Sequence, residues 1–164
     1  MSRGFVKEDD LEHAGTNLPE RPLSELPNYV TPHGLRLLEE SASKLDKERV
    51  LLVVRKDDES AKQKLARVDR DLRYLSARLE SAILVEPAQQ NKSSVLFGAT
   101  VDVEDDDGEM HQFTIVGEDE ADIAANQVSW ASPLAKALIG HKVGENVVWK
   151  RPAGDLNLEI IDIN

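Results

Sequence analysis

The sequence contains no cysteine, which excludes disulfide bonds, thiolate metal sites and a cysteine nucleophile. It contains no run of about 18 apolar residues, so we expect no membrane-spanning helix. Residues 1–10 include no apolar segment of the kind found in secretory signals, so no such signal is expected. Aromatic residues make up only 4% of the 164 positions, which is little for a ligand cleft lined by aromatic side chains. These absences indicate a cytoplasmic protein that does not engage a membrane.

Motifs for hydrolysis and nucleotide binding are absent as well. The sequence has neither a G-x-S-x-G element nor a glycine-rich phosphate loop. Its histidines have no metal-ligand spacing on a common helix, and we expect surface or structural roles for them; they are His13, His33, His111 and His141. The acidic run Glu104–Gly108 does not match a calcium loop, because the first ligand position falls on Val103, which cannot bind a cation. We expect this run to form a charged hairpin tip.

Acidic residues outnumber basic ones, and the formal net charge is −11. Residues 1–30 carry 3 basic and 6 acidic side chains, residues 31–86 carry 12 and 11, and residues 87–164 carry 5 and 14. The acidic balance argues against a non-specific nucleic-acid binder, since such binding depends on neutralising phosphates with Lys and Arg. The acidic last segment instead suits a basic protein partner.

Residues 1–30 are predicted to be a flexible N-terminal tail. Pro19, Pro22 and Pro27 interrupt any helix, and no apolar period runs through the segment. The alternative is a docking peptide built on Phe5 and Val6.

Residues 31–86 are predicted to form an antiparallel coiled coil. Thr31 can cap a helix, and Pro32 suits its first position. Two stripes then recur in steps of three and four. One is made of the apolar residues Leu38, Ala42, Leu45 and Leu52, with Arg49 filling the slot between the last two, and the other of Leu65, Val68, Leu72, Leu75, Leu79 and Ala82. By symmetry, the turn between the helices falls on residues 56–60. Each stripe then has a partner within the chain.

Two features near this turn leave alternatives open. Residues 50–54 are apolar all round, so they are either an over-hydrophobic helix end or a surface that packs on something outside the hairpin. The acids Asp57, Asp58 and Glu59 either cap the second helix and favour its dipole, or they deliver carboxylates to a distant site. There they could hold a hard divalent cation or position a water molecule.

Residues 94–164 are predicted to form a small domain after a linker at 87–93. Strands are expected at 95–104, 111–116, 146–150 and 156–163, and a short helix at 132–140 begins with Ser-Pro and ends at Gly. The fold class is therefore α+β, an N-terminal helical hairpin followed by an antiparallel sheet domain with one short helix.

Many short motifs occur in the order found in the bacterial GreA/GreB family of transcript cleavage factors, and the chain resembles its GreB branch over residues 30–164. They are Thr31–Leu35, Asp69–Leu75, Phe97–Val101, Ile115–Asp122, Val128–Ser129, Ser132–Gly140, Gly144–Glu145 and Pro152–Gly154. The resemblance implies an FKBP-like sheet domain without prolyl isomerase activity. It also implies that this domain docks on RNA polymerase at the rim of the secondary channel.

The same resemblance assigns roles to individual residues. Ala131, Ser132 and Pro133 would lie at the polymerase-binding surface. The turn acids Asp57, Asp58 and Glu59 would be the catalytic residues, and would help to hold a Mg²⁺ in the polymerase active site, where the polymerase cuts backtracked RNA. The protein would then be a monomer without a cofactor of its own. It would stimulate RNA cleavage without being an enzyme itself, and would touch the transcript only indirectly.

The sequence departs from the family pattern at the turn. The family has Asp, two residues, Glu and Asn, whereas this chain has Asp57-Asp58-Glu59-Ser60. Each arm is also about one heptad shorter, on the order of 10 Å at 1.5 Å per residue. Relatives with shortened hairpins, such as the Rnk type, bind polymerase without promoting cleavage. The alternative function is therefore a channel-binding regulator that does not stimulate cleavage, and a less favoured one is a prolyl isomerase or chaperone.

Overall fold

The computed structural model describes residues 18–55 and 57–164. Predictions for Phe5, Val6 and His13 lie outside the described residues. The described chain divides into two compact units. We call residues 18–26 with 38–81 the hairpin unit, and residues 27–37 with 82–164 the sheet unit. No helix in the described ranges combines the length and apolar character needed to cross a bilayer.

Two helices, α1 (Pro32–Val53) and α2 (Glu59–Ser81), make up most of the predicted coiled coil. Helix α1 begins as expected, because the hydroxyl of Thr31 accepts a hydrogen bond from the amide of Gly34 at 3.0 Å. Helix α1 ends at Val53 and α2 begins at Glu59, so the helices meet close to the midpoint expected from symmetry. Glu59 and Ser60 were predicted in the turn but already belong to α2, whereas Val54 and Arg55 were predicted in the first arm but follow the end of α1.

The two predicted stripes form the buried seam of the hairpin unit. Leu52, Ala61 and Val68 are buried in one cluster, and Leu45, Leu65 and Leu72 pack against it while half-buried. The heptad spacing explains this arrangement, since it keeps one face of each helix towards the other. Arg49 interrupts the stripe of α1 and instead reaches Asp69 of α2, with Nε 2.7 Å from the carboxylate.

The prediction of a flexible tail over 1–30 is wrong for its described part. Leu18, Glu20 and Arg21 contact α2, and we call residues 18–26 the strap. The guanidinium of Arg73 donates to both carboxylate oxygens of Glu20, at 2.6 to 3.1 Å. The guanidinium of Arg21 lies 3.8 Å from the centre of the Tyr74 ring and 3.5 Å from the carboxylate of Asp71. These are ion pairs and a cation–π contact, which apolar periodicity does not reveal.

Besides the first residues of α1, the sheet unit contains seven strands and one short helix within its described residues. Its strands are β1 (Tyr29–Val30), β2 (Ile83–Leu84), β3 (Thr100–Asp105), β4 (Met110–Val116), β5 (Gln127–Ser129), β6 (Asn146–Trp149) and β7 (Leu156–Ile163). The helix is α3 (Pro133–Leu138), and one-turn 3₁₀ helices lie at Pro87–Gln89 and Ile123–Ala125. Strands β1 and β2 pair in parallel, and the other five form one sheet in the order β5-β4-β3-β7-β6.

The predicted α+β arrangement is confirmed, but the sheet is mixed rather than antiparallel throughout. The pairs β3–β4, β3–β7 and β6–β7 are antiparallel, whereas β4 and β5 are parallel. Strand β5 was not predicted, since it has only three residues. The predicted linker at 87–93 includes the 3₁₀ turn at Pro87–Gln89, and β3 begins at Thr100 rather than Val95.

One apolar core holds this sheet and α3 together. Its buried members are Val95, Val101, Val103, Ile115, Leu134, Ala135, Leu138, Val147, Leu158, Ile160 and Ile163. The alternation along β7 breaks between Ile160 and Ile163, because the register with β3 shifts between Asp102 and Val103. Trp130 and Trp149 pack against the core while half-buried, as expected for structural aromatics.

Candidate functional site

The acidic turn of the hairpin unit is built around Asp58. Its Oδ1 accepts hydrogen bonds from the amides of Ser60 at 2.9 Å and Ala61 at 3.4 Å, so Asp58 is the N-cap of α2. Its Oδ2 lies 3.4 Å from the guanidinium of Arg55. The capping interpretation of the acids is thus confirmed for Asp58, whose carboxylate oxygens both have partners.

The other two acids of the turn are more accessible. Glu59 is the first residue of α2, where a carboxylate suits the helix dipole, and its Oε1 lies 3.2 Å from Nζ of Lys62. Asp57 is exposed, and no hydrogen bond or ion pair joins its carboxylate to another described residue. Asp57 therefore offers the free carboxylate of the turn.

These acids fit a divalent cation only in part. Exposed carboxylate oxygens are the ligands that Mg²⁺ prefers, and Asp57 and Glu59 supply them. Asp58 could join them only by giving up its cap or its contact with Arg55. The three carboxylates do not converge into a ready-made cation site within the described chain. A Mg²⁺ held here would need further ligands from another molecule.

One group of ligand atoms does converge, and sequence reasoning missed it. Asp105, Glu109 and His111 each place a ligand atom within 4.8 Å of the others at the β3–β4 turn. The carboxylate of Asp105 accepts hydrogen bonds from Nε2 of His111 at 2.9 Å and from the amides of Asp107 and Glu109. These bonds, above all the one from His111, lower the pKa of Asp105 below its ordinary value. These hydrogen bonds explain why the three side chains lie together, and the group belongs to the charged hairpin tip that was predicted.

An apolar cavity of about 340 Å³ opens in the sheet unit beside the start of α3. Phe113 and Trp149 form part of its wall, and Ser132 and Pro133 lie at one side. Ile123 also lines it and is 89% exposed, the highest value of any large apolar residue in the described part of the chain. Such an exposed apolar side chain beside a cavity is typical of a surface that contacts another molecule.

The three predicted partner-binding residues have local structural roles as well. The hydroxyl of Ser132 accepts from the amide of Ala135 at 3.3 Å and caps α3, and Pro133 occupies the first helical position. The amide of Ala131 donates to the hydroxyl of Ser129 at 3.1 Å. Pro133 remains exposed, so its ring is available to a partner. Ile123 could not be singled out from the sequence, because nothing in its spacing marks it as exposed.

A buried carboxylate holds the first turn of α1 within the sheet unit. The side chain of Glu120 is 5% exposed, accepts from the hydroxyl of Thr31 at 2.5 Å and lies 3.1 Å from Nδ1 of His33. A Cβ on Gly34 would lie 2.6 Å from Oε1 of Glu120, so only glycine allows this approach without a shift. The motif Thr31–Leu35 is thus explained by the contact that it makes with Glu120.

The fold and these sites define a class of protein: a helical hairpin with an acidic turn, joined to a small α+β domain with an exposed apolar cavity. Residues 89–164 match the family model described as "Transcription elongation factor, GreA/GreB, C-term". The chain is 37% identical over 155 residues to transcription elongation factor GreB of Neisseria meningitidis serogroup B, covering 85% of this chain and 95% of the relative.

Two further similarities were found. Transcription elongation factor GreA of Thermodesulfovibrio yellowstonii is 42% identical over 106 residues, which cover 64% of this chain and 67% of the relative. The solved structure of the GreA factor homolog 1 (Gfh1) protein of Thermus thermophilus is 26% identical, with a TM-score of 0.40, and the match covers 85% of this chain and 99% of that chain. The chain belongs to the GreA/GreB family of transcription elongation factors.

Proposed function

We propose that this protein binds bacterial RNA polymerase at the secondary channel and promotes cleavage of backtracked transcripts through the acidic turn of its hairpin. The observation that carries the proposal is the exposed carboxylate of Asp57, next to Glu59, at the end of the helical hairpin. Family membership supports the partner. The protein would act with the polymerase in the cytoplasm, as a monomer that is not an enzyme by itself.

The cavity beside α3 is the surface that we propose for polymerase binding. Pro133 and Ile123 are exposed at it, and Ser132 and Ala131 set the backbone at the start of α3. An apolar anchor entering a cavity is the kind of contact that dominates binding free energy in protein interfaces. The acidic charge of residues 87–164 would favour encounter with a basic patch on the polymerase.

The turn acids would contribute in unequal ways. Asp57 and Glu59 would present oxygen ligands to a Mg²⁺ shared with the polymerase, and Asp58 would hold the first turn of α2 so that its neighbours keep their positions. When bound, such a metal ion lowers the pKa of the attacking water and stabilises charge on the leaving oxygen. The bond cleavage itself would remain the work of the polymerase, and the protein would contact RNA only indirectly.

A second candidate is a channel-binding regulator that leaves cleavage unchanged. The specific observation in its favour is that Asp58 is committed to capping α2 and to Arg55, while Glu59 is paired with Lys62. In that case the acids serve the helix, and the hairpin acts by occupying the channel. An isomerase function has less support, since only Phe113 and Trp149 contribute aromatic rings to the cavity wall.

Binding to purified RNA polymerase tests the proposed surface. We expect Ile123→Ser and Pro133→Ala each to weaken binding about tenfold or more. Each removes an apolar contact, and a loss of about 1.4 kcal/mol in binding free energy raises the Kd tenfold. The matched control is Val143→Ser, which removes an apolar side chain that is 54% exposed and does not line the cavity. Unchanged binding by both cavity variants, with folding intact by circular dichroism, would reject this surface.

A further inference from the structure

The strap docks on α2 through side chains rather than through secondary structure. The carboxylate of Glu20 accepts hydrogen bonds from Nε and Nη2 of Arg73 at 2.6 to 3.1 Å. Next to this pair, the guanidinium of Arg21 lies 3.8 Å from the centre of the Tyr74 ring and 3.5 Å from the carboxylate of Asp71. Residues 18–26 belong to no helix or strand, so the position of the strap depends on these contacts.

The order of charges in the strap matches the charges that it meets on α2. The acid Glu20 pairs with a base, and the base Arg21 pairs with an acid and a ring. A strap shifted by one residue would bring Arg21 to Arg73, where like charges repel. A guanidinium that binds both oxygens of a carboxylate also fixes the geometry of the pair. The docking of the strap on α2 is therefore specific.

Leu18 extends the contact onto apolar surface. Its side chain is half-buried, and together with Leu65 and Ala66 it lines a cavity of about 360 Å³ on α2. From Leu65 to Tyr74 is about 14 Å along the helix axis at 1.5 Å per residue. The strap thus covers more than two turns of the outer face of α2.

This outer face includes side chains that the packing of the hairpin does not explain. Within the motif Asp69–Leu75, Leu72 packs against the seam and Leu75 is buried, whereas Arg73 and Tyr74 meet the strap. The family resemblance includes this motif but begins only at residue 30, after the strap. Arg73 and Tyr74 are therefore part of a pattern that does not need the strap. Arginine and tyrosine are among the residue types that most often anchor protein interfaces.

The contacts that hold the strap can be exchanged for those of another molecule. In the pair of Glu20 and Arg73, the side chains are 61% and 56% exposed. Solvent and salt screen ion pairs of this kind. Pro19 and Pro22 restrict the backbone of the strap even when it is released, so docking costs it little conformational entropy. A segment held in this way docks readily and is displaced readily.

We propose that the strap is an autoinhibitory element. In the free protein it occupies the face of α2 that includes Asp71, Arg73 and Tyr74, and RNA polymerase displaces the strap by contacting the same face. Only molecules whose strap is released can then bind, so the docked strap lowers the apparent affinity. The choice of partner rests on the proposed function, whereas the docking of the strap can be measured without the polymerase.

Docking of the strap is measured first, in the full chain alone. The chain has two tyrosines, so 3-fluorotyrosine gives one fluorine NMR signal for Tyr74 and one for Tyr29 in the sheet unit. Glu20→Arg places like charges at Arg73 and should shift the Tyr74 signal, because Arg21 leaves its ring, without shifting that of Tyr29. The matched control is Glu25→Arg, which makes the same charge change at an exposed strap residue that is not paired with α2 within the described chain.

The control should leave both signals where they are in the wild type. If Glu20→Arg also leaves the Tyr74 signal unchanged, Glu20 does not hold the strap on α2 and the proposal is overturned. A shift of the Tyr74 signal in Glu25→Arg as large as that in Glu20→Arg would overturn it as well, because the effect would then follow net charge rather than the pair with Arg73.

Binding of the same three proteins to purified RNA polymerase tests the inhibition. We expect Glu20→Arg to lower the Kd at least about threefold relative to the wild type and to Glu25→Arg, since release of the strap raises the fraction of molecules that can bind. An equal or higher Kd for Glu20→Arg would overturn the autoinhibition while leaving the proposed function intact. If none of the three proteins binds the polymerase, both the proposed function and the autoinhibition fail.

Discussion

In the sheet unit, eleven buried apolar residues form one continuous core under a five-stranded sheet. Among its described residues, the hairpin unit buries five apolar side chains, Leu38, Leu52, Ala61, Val68 and Leu75, and three leucines pack half-buried against Leu52, Ala61 and Val68. Ion pairs on the surface supplement this seam, such as those of Arg49 with Asp69 and Arg73 with Glu20. Solvent screens exposed pairs of this kind, so they add little to stability and cannot replace a core.

This difference in apolar burial agrees with the role proposed for each unit. A surface that binds a partner has to be rigid, and the cavity beside α3 rests on core residues such as Leu134 and Leu138. A hairpin that presents an acidic turn needs length and an exposed end, and both limit how much apolar surface it can bury. Its seam is therefore thin, and its turn depends on one cap and a few charges.

The largest effect should come from truncating the core of the sheet unit. Ile115 is completely buried, so Ile115→Ala should lower the free energy of unfolding by about 2–5 kcal/mol. Trp130 and Trp149 both lie in the sheet unit, and their fluorescence during urea unfolding reports on it alone. The comparison variant is Leu52→Ala in the hairpin seam, whose unfolding is followed by helical circular dichroism. If its free energy of unfolding falls as much as that of Ile115→Ala, the proposed difference between the units is contradicted.

The next effect concerns Glu120, which holds the first turn of α1. Glu120→Ala removes a buried acceptor for Thr31 and His33, and we expect a loss of about 1–3 kcal/mol in the stability of the sheet unit. Glu120→Gln keeps one acceptor oxygen and should lose less. If both variants unfold at the wild-type urea concentration, the contact with Thr31 does not stabilise the fold.

A smaller effect is expected at the turn, where the acids differ in role. Asp58→Ala removes the N-cap of α2 and should destabilise the hairpin by about 1 kcal/mol. Asp57→Ala should change the stability by less than about 0.5 kcal/mol, since its carboxylate is exposed. Thermal melts followed by helical circular dichroism measure both. A larger loss of stability for Asp57→Ala than for Asp58→Ala would contradict the assignment of Asp58 as the N-cap of α2.

The smallest effect is a dependence on pH at the β3–β4 turn. Hydrogen bonds from His111, and from the amides of Glu109 and Asp107, keep the pKa of Asp105 low in the folded protein. The stabilisation is therefore present above the unfolded pKa of about 3.9, and it is lost as the pH falls through the lower folded value. In His111→Ala the folded pKa should rise towards its ordinary value.

The measurement is the urea midpoint of the sheet unit between pH 5 and pH 2, read from tryptophan fluorescence. We expect His111→Ala to be less stable than the wild type near pH 5 and the two midpoints to converge towards pH 2. A difference that grows as the pH falls would contradict this account of Asp105.

Much of the fold follows from periodicity in the sequence. The heptad stripes predicted both helices and a turn close to residue 58, because buried seams impose their spacing on the residues that form them. The strands β4, β6 and β7 were also predicted within one residue of their observed ends. These elements bury a face, and the burial leaves a pattern that can be read along the chain.

Features that depend on single contacts could not be predicted. The strap is held by Glu20 and Arg21 through charges and a ring contact, which leave no period. Strand β3 starts late because Gly98, at φ 86°, turns the chain, and its α-carbon lies so close to Pro87 that a side chain would clash. In the candidate site, the acids of the turn were found from sequence, but the commitment of Asp58 to the cap and the exposure of Ile123 required the structure.

The most direct test of the proposed division of labour measures RNA cleavage in purified, backtracked elongation complexes with Asp57→Ala and Ile123→Ser, alongside polymerase binding by the same preparations. We predict that Asp57→Ala binds like the wild type but loses stimulation of cleavage, whereas Ile123→Ser regains stimulation at raised concentration. If the wild type binds and leaves the cleavage rate unchanged, the acids serve only the helix, and the protein is a channel-binding regulator.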